Sequence, residues 1–276
     1  MRMDPCETDR FSAIEDASFA FKAADLHTLR VGYVLARDRI RHEDFAAGLE
    51  AALARPVRLL RYARYADLSE AMVQGFIDLG WLPPAVYVGA RRAGSVRAVA
   101  VVERAGADRY RSALLARPGA VPSYRELRGA RAAWVDPWSA AGYLMPRGLI
   151  AAQGLDPSRV LSSERFCGSY DAALDALVAR TADLTGGFCS VDGSGEITHR
   201  SWSTAVSVRV LEVSPPIPSD VLCTTASLAA PESASIERAL LGPGGAHVAA
   251  ALGGSGLAPS DPAHYDALER AITRPS

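Results

Sequence analysis

Short β-like runs alternate with amphipathic helical runs from residue 29 onward, and this alternation constrains the fold more than any other feature. Residues 29–35 form a compact β-like run. Within 43–53, Phe45, Leu49, Ala52 and Leu53 recur near helical spacing until Arg55-Pro56 ends the pattern. Residues 57–65 alternate as a second strand, Asp67 opens a helix through Val73 that stops at Gly75, and 76–82 supply a third strand. Pro83-Pro84 interrupts the chain before a short helix over 85–92, and 96–103 return to β character. A βαβαβ order with short connections predicts an open α/β sheet.

The second half continues in the same manner. A new block starts around 110–116, and residues 130–135 read as a buried strand. Asp136-Pro137 then turns the chain into a helix opening near Ser139. Pro146 starts a helix more readily than it continues one, so a first turn over 139–144 should precede a second piece ending at Gly154. Strands are expected at 160–166 and 182–188, with a helix at 170–180 between them. Residues 192–203 are polar and glycine-bearing and read as a loop. Strands at 206–213 and 221–225 and helices at 233–241, 246–252 and 262–272 complete the chain, with no internal repeat. The turn before Ser139 points most clearly to function: a helix start offers unpaired N–H groups and partial positive charge to an anion or polar ligand.

Composition removes several alternatives. A formal net charge of -1 gives no global case for nucleic acid or membrane surfaces. Cys6, Cys167, Cys189 and Cys223 form no CxxC pair, and His27, His42, His199, His247 and His264 are equally scattered, so neither a metal site nor a cofactor is expected. No Ser/His/Asp set, phosphate loop or helix-turn-helix segment stands out. The acidic residues Asp4, Glu7, Asp9, Glu15, Asp16 and Asp25 break up the N-terminal stretch, which is not a secretory signal. The expectation is a loosely held arm or a short amphipathic helix over 1–28 and a cytoplasmic location as written, periplasmic or extracellular if a leader has been removed. No stretch approaches the roughly 20 apolar residues needed to span a bilayer.

Five spaced pieces resemble the solute-binding components of phosphonate/phosphite/phosphate-type ABC transporters. They are Val31-Gly32-Tyr33; the run from Asp78 through Trp81 to Tyr87; the run from Leu127 through Trp134-Val-Asp-Pro-Trp138-Ser139 to Pro146; Cys167-Gly-Ser-Tyr170 to Leu174 with Ala182-Asp183; and Val213-Ser-Pro-Pro-Ile-Pro-Ser219. The resemblance implies a two-lobed type II periplasmic-binding-protein fold, with a ligand cleft between lobes joined by two crossover strands. Residues 96–103 and 206–213 are the crossover candidates. Lobe 1 would comprise 29–103 and 207–276, and lobe 2 104–206. Hinge closure around a ligand would follow.

The same resemblance nominates Tyr33, Trp81, Trp138, Ser139, Ala140, Ala141 and Tyr170 as ligand-binding residues. Tyr33 and Trp81 have alternative readings as packed aromatics. Asp192 and Arg37 are weaker candidates. The family's helix start usually reads serine–threonine–serine–glycine; here it is Ser139-Ala140-Ala141-Gly142, and Tyr170 replaces a histidine. Each lost charge-assisted hydrogen bond costs roughly 1.5–3 kcal/mol, so tight phosphonate binding is not expected. The reading is non-catalytic binding of a small polar or anionic solute, with an ABC transporter membrane component or a regulatory protein as partner. The alternative is a cytoplasmic enzyme on the same fold, like the menaquinone-pathway enzymes acting on chorismate-derived substrates.

Overall fold

In the computed structural model, residues 28–34, 41–104, 106–121, 123–203 and 207–273 are described. The N-terminal arm (with Cys6 and His27) and Arg37 lie outside these residues, as does the start of the 206–213 run. The alternating runs of the first half become β1 (Leu29–Val34), α1 (His42–Leu53), β2 (Val57–Tyr62), α2 (Tyr65–Val73), β3 (Leu79–Leu82), α3 (Pro84–Arg92) and β4 (Val96–Glu103). The chain then builds β5 (Arg109–Ala116), β6 (Arg131–Trp134), a π-helical turn (Ala140–Leu144), α4 (Met145–Ala152), α5 (Pro157–Val160), β7 (Ser163–Phe166), α6 (Tyr170–Val178), β8 (Leu184–Val191), β9 (Ile197–Arg200) and β10 (Arg209–Val213). It closes with β11 (Ile217–Pro218), β12 (Val221–Thr225), α7 (Ala230–Leu240), α8 (Gly245–Ala251), β13 (Gly256–Ala258) and α9 (Asp266–Thr273).

Two sheets result. The six-stranded sheet of lobe 1 has the order β13-β4-β12-β3-β1-β2, and the seven-stranded sheet of lobe 2 is built on β10-β5-β8-β6-β7. In lobe 1, Phe45 and Leu49 of α1, Ile236 and Leu240 of α7 and Val248 of α8 cover one face. Leu68 and Met72 of α2 and Val86 and Val88 of α3 belong to the other. In lobe 2, Leu149 and Ile150 of α4 and Val160 of α5 join one cluster, and Leu174 and Leu177 of α6 another. Burial on both faces accounts for the near-continuous apolar strands of the sequence.

The crossing between lobes lies after the expected strands rather than within them. β4 stays in the first sheet, paired with β12, whereas β10 pairs with β5 through Arg209↔Ala116 and Val213↔Ala113. β11 also pairs with β5, through Ile217↔Tyr110, so the return to the first sheet follows Pro218, past the boundary expected at 207. The two crossing segments are tied together: Ser219 N–H donates to Asp108 O at 2.8 Å, and Arg104 Nη2 donates to Asp220 Oδ2 at 2.7 Å. The 192–203 loop is also corrected, because β9 pairs with β8 through Cys189↔Arg200 and Ser190↔His199.

A structural repeat emerges where no internal repeat was expected. Each lobe contains a parallel trio, β3-β1-β2 and β8-β6-β7. In each, the aspartate just before one strand clamps the arginine that opens or nearly opens its neighbour. Asp78 Oδ2 accepts from Arg30 N–H and Nε at 2.8 and 2.9 Å, and Asp183 Oδ2 accepts from Arg131 N–H and Nε at 3.0 and 2.9 Å. Both clamps follow a nine-residue helix that begins with tyrosine and ends with valine.

Candidate functional site

The turn after β6 is shaped by groups that leave little freedom. Asp136 Oδ1 accepts the Trp138 N–H at 2.8 Å and its carbonyl accepts the Ser139 N–H at 3.2 Å, closing the turn around Pro137. Ser139 is the N-cap: its Oγ accepts the Gly142 N–H at 3.0 Å. The Ser139 carbonyl then accepts from both Tyr143 and Leu144, at 3.1 and 3.0 Å, which widens the first turn into a π-helix. Such bulges are frequent at functional sites. A Cβ on Gly142 would sit 2.3 Å from Val135 Cγ2, so only glycine allows the turn to approach the strand it leaves. The Ala141 carbonyl accepts from Ser112 Oγ at 2.8 Å, and a Cβ on Gly186 would come within 2.6 Å of the same oxygen. The turn is thus pressed onto β5 and β8.

Tyr170 reaches this turn from the neighbouring strand. Ser169 caps α6 by accepting from the Ala172 N–H at 3.1 Å, so Tyr170 stands at the first position of the helix after β7. Its Oη lies 3.4 Å from Ser139 Oγ, and its ring packs edge-on against Phe188 at 5.2 Å. The turn and the start of α6 both lie at the carboxyl ends of parallel strands, where open α/β sheets receive ligands.

Lobe 1 meets this group through an apolar seam. Ala140, Ala141 and Met145 belong to one buried cluster with Ala85, Tyr87 and Val88 of α3, and Tyr65, Tyr110, Leu144 and Phe188 pack against it. Burial pushes the Tyr110 phenol well above its ordinary value, and the nearby Tyr170 and Asp220 push it further in the same direction. The Tyr87 and Tyr265 rings meet at 4.6 Å, tilted by 59°, on the same seam.

The structure gathers Trp138, Ser139, Ala140, Ala141 and Tyr170 at the lobe 2 end of this seam. Trp138 is 48% exposed, whereas Ala140 and Ala141 are 5% and 0% exposed. Tyr33 and Trp81 do not join them. Tyr33 is 1% exposed and packs edge-on against Phe45, with its hydroxyl 2.5 Å from His42 Nδ1. Its side chain faces α1, so the cleft-facing reading of Tyr33 is corrected. Trp81 is half-buried against the same cluster as Tyr33, on the α1 face. Successive residues of a strand face opposite sides, which leaves Leu82 rather than Trp81 on the seam. Asp192 accepts from the backbone of Ser194 and Glu196 at 2.9 and 3.1 Å and organises the β8–β9 turn.

Sequence reasoning passed over Tyr65, Tyr110 and Phe188. Tyr65 was detectable, because the spacing from Tyr65 to Asp78-Leu79 equals that from Tyr170 to Asp183-Leu184. Tyr110 and Phe188 carried no local signal, since their proximity arises from strand pairing across β5, β8 and β11. A hollow of about 370 Å³ lined by Ser123, Tyr124, Arg125, Gln153 and Leu155 lies elsewhere on lobe 2. Among the described residues no group of three or more His, Cys, Asp or Glu side chains could hold a metal. No described helix is long and apolar enough to cross a membrane.

Two α/β lobes, paired crossing segments and a helix-start turn at their seam define a type II periplasmic-binding-protein fold. Residues 37–265 match the family described as ABC transporter, phosphonate, periplasmic substrate-binding protein, and the chain belongs to that family. It is 28% identical over 151 residues to the phosphate-import protein PhnD of Mycolicibacterium smegmatis; the match covers 51% of this chain and 46% of that protein. The chain therefore spans about half the length of that relative. Among solved structures, XAC2383 from Xanthomonas citri bound to ATP superposes with a TM-score of 0.72 at 15% identity, covering 89% of this chain and 95% of that one. PhnD1 from Prochlorococcus marinus in complex with methylphosphonate superposes at 0.65 and 14% identity, covering 89% and 97%. The family description is periplasmic, and these relatives support neither the cytoplasmic location nor the enzymatic alternative.

Proposed function

We propose that the protein binds a small anionic or polar solute where the Ser139–Gly142 turn meets the start of α6, and that the lobes close over it. The carrying observation is the capped turn, with the Tyr170 hydroxyl 3.4 Å from Ser139 Oγ and the tyrosine-lined seam of lobe 1 opposite. The Ser139 Oγ and the backbone N–H groups of the first turn supply polar contacts to the solute. Trp138, exposed beside the cap, offers an indole face to any organic part of the ligand. The solute is delivered to the membrane component of an ABC transporter outside the cytoplasmic membrane, in keeping with the family description.

The grip on free phosphate or a simple phosphonate is weak, because Ala140 and Ala141 bring no hydroxyls. Titration calorimetry with inorganic phosphate, methylphosphonate and larger organic phosphates tests this ordering. The larger ligands should bind more tightly. Equal affinity for inorganic phosphate and the organic phosphates would sink the proposal that Trp138 and Tyr170 take part in selection. Ala140→Thr with Ala141→Ser should raise phosphate affinity about tenfold or more, since each restored hydrogen bond to a charged group contributes roughly 1.5–3 kcal/mol.

A further inference from the structure

The family match ends at residue 265, and α9 begins at Asp266. This helix belongs to neither lobe alone. Arg91 of α3 binds it on the lobe 1 side: Nη1 donates to the Pro262 carbonyl at 2.7 Å, and Nη2 pairs with Glu269 and lies 3.5 Å from Asp266 Oδ1. Arg92 Nε lies 3.6 Å from Glu269 Oε1. The opposite side carries Leu268, 1% exposed, with Ala271 and Ile272 packed on the seam cluster that contains Ala140, Ala141 and Met145. On α4 of lobe 2, a Cβ on Gly148 would stand 3.3 Å from the Ala271 Cβ, so the two helices already touch. The helix also contacts the π-helical turn itself.

These contacts place one rigid element between the arginines of lobe 1 and the back of the turn in lobe 2. The side chains on its two sides differ in kind. Its ion pairs lie on α3, where water competes and the attachment is reversible. Its apolar face lies on the turn, where tight packing transmits displacement.

We propose that Glu269 is a positioning residue: through α9, its pairing with Arg91 and Arg92 holds the Ser139–Gly142 turn in its π-helical form and couples that form to the orientation of lobe 1. The functional part rests on the proposed ligand site; the coupling does not. When the Glu269 pairing is intact, the turn is held from behind and its N–H groups keep their direction. When it opens, α9 loosens from α3 and the turn loses its support.

Hydrogen exchange on the ligand-free protein tests the coupling. Glu269→Gln should speed exchange of the amides within Ala140–Leu144 about tenfold, while amides of α6 and β8 keep their rates. Arg91→Ala with Arg92→Ala should speed the same turn amides, and adding Glu269→Gln to that pair should speed them no further, a non-additivity that a general loss of helix stability would not show. Should Glu269→Gln fail to fold, Glu269→Asp keeps the charge, shortens the reach and carries the same measurement. Faster exchange confined to α9 and α3, with the turn unchanged, overturns the proposal. If neither phosphate nor an organic phosphate protects the turn of the wild-type protein while Glu269→Gln still loosens it, the ligand site is overturned and the coupling stands.

Discussion

The two lobes share a frame and differ at its receiving end. Both hold a parallel trio fastened by an aspartate–arginine clamp, and both start a nine-residue helix with tyrosine. In lobe 1, β3 runs into α3 through Pro83 as N-cap and Pro84 as first helical residue. Two prolines deny that helix start two N–H donors and any side-chain cap. In lobe 2, β6 runs through Asp136-Pro137-Trp138 into a serine-capped turn, with Ser139 Oγ accepting the Gly142 N–H. The difference teaches that the frame alone does not make a site. In the proposed binding mode, one lobe offers polar donors and the other closes on them with aromatic and apolar surface.

Glycine substitutions should separate the lobes most sharply. A Cβ on Gly186 meets the Ala141 carbonyl and Pro146 at 2.6 Å, and one on Gly80 of lobe 1 meets the flexible Met72 Sδ at 2.5 Å. Gly186→Ala should cost about 3 kcal/mol and Gly80→Ala about 1 kcal/mol in urea denaturation, because backbone yields less than a methionine tip. Equal costs would break the contrast.

The clamp in lobe 2 comes next. Asp183 also accepts from Arg117 Nη2 at 2.8 Å, and Asp183→Ala should destabilise by roughly 2 kcal/mol. The hydrogen-bonded Arg131 holds the Asp183 carboxyl well below the usual carboxylate range; burial opposes this, and Arg117 reinforces it. A depressed folded pKa means that the contribution is fully present above the unfolded value near pH ~4 and is lost as pH falls below it. Asp183→Asn should therefore flatten the acid limb of the stability curve. An unchanged acid limb would contradict the assignment. Ser139→Ala should cost about 1 kcal/mol through loss of the cap, with ligand affinity falling as well. Trp138→Ala should change stability by less than about 0.5 kcal/mol while weakening ligand binding. A variant that binds normally, or fails to fold, would place the indole elsewhere.

Much of the frame was legible in the chain because periodicity and turn residues act locally. Pro84, Ser139, Pro146 and Gly154 punctuate the helices near where they were expected. The crossing point was misplaced because 206–213 has the same β character whichever sheet it joins, and pairing with β5 decides the matter. Tyr33 misled for a related reason: strand position places a residue along the sheet, but its facing side depends on α1, which buries it against Phe45. The Ser139 turn was readable because proline, cap and glycine lie within one short stretch. Tyr65, Tyr110 and Phe188 come from three distant strands or helices, so their packing against one cluster arises only in the folded chain.

Backbone amide chemical shifts during titration with phosphate and organic phosphates test the central claim most directly. The account predicts that the amides of Ser139–Gly142 and Tyr170 move together, with the proline-led start of α3 responding only as the lobes close. Shifts confined to the hollow lined by Ser123, Tyr124, Arg125, Gln153 and Leu155, with the turn silent, would contradict it.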